Sequence, residues 1–114
     1  MKMKLKKIVI CFALMVLAGS VFGVDIIRSR NIGQYEIRIT YDASLGYVGG
    51  ILDHRNHNLF CVGGWWNKSD ALDFYNSCAG YNTPSKIKGL IDYFANWSYV
   101  GENAGYSVYM WNGY

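Results

Sequence analysis

Residues 59–80 read LFCVGGWWNKSDALDFYNSCAG. A short apolar run, Leu59 to Val62, meets the Gly63-Gly64-Trp65-Trp66 corner and passes into a helix. Asn67 or Ser69 suits its N-cap, and Asp70 in the first turn suits the dipole. Ala71, Phe74, Tyr75 and Cys78 recur at i, i+3, i+4 and i+7, one apolar stripe that must face a sheet. Gly80 ends the helix. Cys61 and Cys78 are expected to pair as a disulfide that pins this helix to this strand, because a small exported domain gains from a staple. Closing that loop would contribute on the order of 3 kcal/mol.

Upstream, residues 34–41 alternate without a fault. Tyr35, Ile37, Ile39 and Tyr41 lie on one face, and Glu36, Arg38 and Thr40 on the other. The polar set predicts that one side of the sheet meets water. Residues 24–30 read as a first strand, with a turn at Asn31-Ile32-Gly33. Residues 47–52 read as a third strand, bulged or sharply coiled at Gly49-Gly50. The polar run 53–58 is the tip of a hairpin whose return strand is 59–62.

Downstream, Thr83 as N-cap and Pro84 at the first helical position open a second helix. Its inner face is Ile87, Leu90, Ile91 and Phe94, and Gly89 marks a close crossing. Tyr93 and Trp97 fall on this helix and are read as core-filling rings. Residues 100–105 form a loop, and 106–111 a last strand with Tyr106, Val108 and Met110 on one face. The expected fold class is α+β: a small, twisted, mostly antiparallel sheet with two helices packed on one side. Its closed version is an OB-like, partly open barrel.

Residues 1–23 carry Lys2, Lys4, Lys6 and Lys7 ahead of an apolar run too short for a confident membrane span, then small residues. They read as a signal peptide cleaved after Ser20 or Gly23, leaving residues 24–114 as one small domain in the periplasm or outside the cell. That domain has seven basic and eight acidic residues, a net charge of −1. No nucleic-acid footprint remains, nor a polybasic patch to hold a membrane. All ten tyrosines and all four tryptophans lie in it, so its core is built largely from rings.

Templates for chemistry fail. There is no G-x-S-x-G, H-E-x-x-H or phosphate-cradling loop. Asp53, His54 and His57 sit together, but two histidines on a hairpin tip do not make a metal site. Glu36, Asp42, Asp53, Asp92 and Glu102 offer carboxylates without singling out a pair. Catalytic residues, metals and cofactors are therefore not expected. The rings are more informative. Trp65 and Trp66 are adjacent and cannot easily share one buried face, and Tyr109 and Trp111 share a strand face. These four are the candidate ligand-binding residues, as stacking surfaces for a sugar or contacts for a protein. Filling a core poor in Leu and Val is the other role open to them.

Residues 87–111, IKGLIDYFANWSYVGENAGYSVYMW, lead from a helix through a glycine-bearing turn into an aromatic strand. This stretch resembles the end of the B subunits of subtilase- and pertussis-type toxins and of related small exported OB-fold proteins. The resemblance implies a glycan-binding subunit, with an oligomer possible, and assigns no binding residue. The expected function is thus a non-enzymatic exported binding domain recognising a glycan or a protein surface through exposed aromatics. The alternative is a periplasmic inhibitor or immunity protein that binds an enzyme or toxin.

Overall fold

The computed structural model describes residues 25–43 and 46–112; the expected signal peptide, residues 1–23, lies outside the described residues. Six strands and two helices are arranged as β1 (Asp25–Ile32), β2 (Tyr35–Asp42), β3 (Gly46–Asp53), β4 (Asn58–Trp65), α1 (Lys68–Ser77), α2 (Pro84–Phe94), β5 (Trp97–Asn103) and β6 (Tyr106–Trp111). The strands form one open sheet in the order β1-β2-β3-β4-β6-β5. All pairs are antiparallel except β4 with β6, which run parallel because the two helices carry the chain back across the sheet. The fold is α+β, as the periodicity predicts.

Side-chain parity sorts the rest. Ile37 lies opposite Ile51, and Ile51 opposite Phe60, so these three point to one face. On that face Tyr35, Ile37 and Ile51 pack with Cys78 at the end of α1 and with Ile87, Leu90 and Ile91 of α2, flanked by Phe60, Phe74, Tyr75 and Phe94. Both helices therefore sit on this side. The opposite face carries a second cluster, Val48, Leu52, Leu59, Cys61, Val108 and Met110, with Val100 and Tyr106 against it.

That parity overturns the expected disulfide. Cys61 lies opposite Gly50 and Met110, one residue out of step with Phe60, and points away from the helices. Cys78 points into the helix-side core. The two thiols are buried on opposite faces of the sheet and are not joined to each other by a disulfide. Burial also pushes the Cys78 thiol up, against smaller opposing effects of Ser77 and Arg30, which keeps it protonated. A helical stripe shows which side of a helix faces the sheet, but not which face of the sheet a strand residue occupies.

Other boundaries move for local reasons. Residues 97–103 form the edge strand β5, not a helix end and a loop. Trp97 is thus a strand residue, and α2 stops at Phe94. The stop is secured by rings: Trp97 Nε1 donates to Ile91 O at 2.9 Å, and Trp111 Nε1 donates to Phe94 O at 3.0 Å. Ile91 O also accepts from Ala95 N at 3.3 Å, so the indoles add to the helix's own last backbone bond in capping it. Thr83 and Pro84 open α2 as expected, with Thr83 Oγ1 accepting from Lys86 N at 3.2 Å. Arg30 reaches from β1 to the end of α1, its Nη2 donating to Cys78 O at 2.7 Å, a cation where the helix dipole favours one. Gly89 marks no crossing, since a Cβ there would meet nothing within 4 Å. The turn after β1 lies at Gly33-Gln34, and Ile32 is buried within the strand.

The bulge expected at Gly49-Gly50 is present as a register shift against β4. A Cβ on Gly49 would stand 2.8 Å from Ile39 Cδ1, 2.9 Å from Trp65 Cζ3 and 3.1 Å from Phe74 Cδ2. Gly49 is therefore the floor on which the Trp65 ring lies. Gly49→Ala should destabilise the fold by about 1–3 kcal/mol through overpacking, read as a lower midpoint in urea. Ala95, which joins α2 to β5, has φ 51° and ψ −166°, a region kept almost entirely by glycine. Ala95→Gly should accordingly raise the same midpoint, by about 1 kcal/mol.

Candidate functional site

Two groups of side chains stand out from the packing. The first is a ladder of rings on the helix-side face of β4, β6 and β5. Tyr99 meets Tyr109 edge to face at 5.6 Å, and Tyr109 stacks on Phe60 at 5.4 Å. Phe60 touches Trp97 at 5.1 Å, Trp97 touches Phe94 at 6.1 Å, and Phe94 touches Trp111 at 4.8 Å. The pairing Tyr99↔Tyr109 and Trp97↔Trp111 across β5 and β6 makes this row unavoidable once the two strands are in register. Tyr99 is 58% exposed on the edge strand, and Tyr93, against Phe94 on α2, is 83% exposed.

The four ring residues singled out in the sequence do not converge. Tyr109 and Trp111 join the ladder, both half-buried, and the Trp111 N–H caps α2. Trp65 stacks on Phe74 at 5.5 Å beneath α1 and packs over Gly49. Trp66 turns the other way, over Gly46, and is 64% exposed. Of the most open rings of the ladder, Tyr93 is read as core in the sequence, and Tyr99 falls between the expected helix and the expected loop without a reading of its own. Recognising β5 as a strand is the signal that would place Tyr99.

The second group lies on the other face. Glu36 and Arg38 are two apart on β2 and only 6% and 4% exposed, so the side expected to meet water is buried, Thr40 with it. Charges can occupy that position because they are paired. Arg38 donates to Glu36 through Nε at 2.7 Å and Nη2 at 2.9 Å, a two-pronged contact. Ser29 Oγ on β1 donates to Glu36 Oε2 at 2.5 Å. His54 Nε2 lies 2.7 Å from Glu36 Oε1, and His54 Nδ1 lies 2.6 Å from the Tyr106 hydroxyl. Burial pushes the Glu36 carboxyl up, but the hydrogen bonds from Arg38, Ser29 and His54 and the Arg38 charge outweigh it and hold the group below its usual range.

His54 is aimed inward because the hairpin tip is tied down. The buried Asp53 accepts from Arg55 N, Asn56 N, Asn56 Nδ2 and Gln34 Nε2 at 2.9–3.2 Å. Burial raises the Asp53 carboxyl, and these bonds, led by Asn56, bring it below its usual range. His54 N donates to Gln34 O at 2.8 Å, fixing the tip against the β1–β2 turn. Among the described residues no three His, Cys, Asp or Glu side chains are grouped to hold a metal ion. No described helix is long and apolar enough to cross a membrane. Comparison with family models, curated proteins and solved structures gives no match.

The pH dependence follows from the carboxylates. Glu36 is held below its ordinary 4.5 and Asp53 below 3.8. Their contribution is full above those ordinary values and is lost as pH falls through the lowered folded values. Stability in urea should thus decline progressively on acidification below about pH 4.5. Glu36→Gln, which takes the anion away from a buried guanidinium, should cost about 3 kcal/mol at pH 7 and flatten that acid slope. An unchanged slope in the variant would remove Glu36 from this role.

Proposed function

We propose that this chain is an exported, non-enzymatic binding domain whose contact surface is the ring ladder of β5 and β6, and that its target is a glycan. One observation carries the reading. Tyr99 is 58% exposed while its neighbour Tyr109 is held from behind by Phe60, so an open ring stands on a backing already fixed by stacking. A fixed ring loses little freedom on binding and presents an amphipathic face of the kind that sugars stack on. The net charge of −1 in residues 24–114 fits a neutral ligand. The likeness of residues 87–111 to toxin B subunits points the same way.

A second reading, an inhibitor or immunity protein, is favoured by a different residue. Trp66, 64% exposed at the β4–α1 corner, is separate from the ladder and has the character of a protein-contact anchor. A glycan array run beside a pull-down from the native host distinguishes the two. On the first reading, glycans bind, and Tyr99→Ala lowers affinity about tenfold or more while Trp66→Ala leaves it unchanged. Absence of glycan binding, with one tight protein partner lost in Trp66→Ala, selects the second.

A further inference from the structure

We infer that Tyr106 is a nucleophilic phenol, with His54 as its general base and Glu36 as the carboxylate that orients the imidazole, and that it accepts an acyl group from an activated ester. The roles follow from donors and acceptors. Glu36 is an anion, held so by Arg38 and Ser29, and can only accept hydrogen bonds. His54 Nε2, 2.7 Å from Glu36 Oε1, must therefore carry a proton. In the neutral ring Nδ1 is then a bare lone pair, so the Tyr106 hydroxyl 2.6 Å away can only donate to it. A hydroxyl, an imidazole and a carboxylate thus stand in the order that acyl transfer uses, with a phenol in place of an alcohol.

The surroundings support reaction rather than packing alone. Glu36 and Arg38 are buried behind the imidazole, while His54 itself is exposed and Tyr106 is half-buried. The Tyr106 ring is held edge to face by His54 at 5.8 Å and by His57 at 5.3 Å. The three residues come from β2, the β3–β4 turn and β6, which is why no sequence template finds them.

The step balances without a cofactor. Tyr106 Oη forms a bond to the carbonyl carbon of the ester as its proton moves to His54 Nδ1. The adduct collapses, the carbon–oxygen bond to the leaving group breaks, and that group takes the proton from Nδ1. The products are the acylated phenol and the free alcohol.

The test treats the full chain with p-nitrophenyl acetate and follows acetylation of each tyrosine by peptide mass mapping. Tyr93 is the internal control, being 83% exposed on α2 with no imidazole beside its hydroxyl. Tyr106 should acetylate about 10²-fold faster than Tyr93, the usual reach of a positioned base. His54→Gln should bring Tyr106 down to the Tyr93 rate, and His57→Gln should not. Equal or slower acetylation of Tyr106 than of Tyr93 in the unmodified chain would overturn the proposal, and that comparison depends on no variant folding.

Discussion

Three side chains from neighbouring strands, Ile37, Ile51 and Phe60, form the apolar row on which both helices sit. Because successive strand residues face opposite ways, fixing this row fixes everything beside it. Glu36, Leu52 and Leu59, each one step away, must then share the far face with Cys61, Val108 and Met110. A slip of one residue would exchange the two sets and present charges to the helices. The heavy burial of Ile37, Ile51 and Ile87 makes such a slip costly.

The same parity separates the ring ladder from the Glu36–His54–Tyr106 network. Tyr99, Tyr109 and Trp111 lie on the helix side, where Tyr109 and Trp111 are half-buried and Tyr99 stays exposed. Tyr106, on β6 but out of step with Tyr109, lies on the far side with His54 and Glu36. One strand thus serves a stacking surface and a polar network at once. Its rings hold different company: stacked aromatics for Tyr109, an imidazole for Tyr106. The indoles of Trp97 and Trp111 tie the first surface to the end of α2, so the ladder and the helix stop are one structure.

Much of this was legible in residue order, and what was not has physical causes. The faultless alternation of residues 35–41, the Thr83-Pro84 helix start and the paired glycines at 49 and 50 each state a local preference that tertiary packing respects. Alternation does not report depth, however. Glu36 and Arg38 satisfy each other and can be buried, whereas an isolated charge at either position would demand water. β5 was hidden because Gly101 and the register shift beside it break the period of two, and because Trp97 follows a helix in sequence. Neither cysteine carries a sign of the sheet face it occupies. The Glu36–His54–Tyr106 chain spans separations of 18 and 52 residues, beyond any local pattern.

The most direct test of this register is the redox state of two sulfurs. The purified chain is denatured without reductant and treated with a thiol-alkylating reagent, and the peptides holding Cys61 and Cys78 are weighed. Cysteines buried on opposite faces of one sheet should each carry the adduct. A single cross-linked species joining the two peptides would place both sulfurs on one face and contradict the arrangement of strands described above.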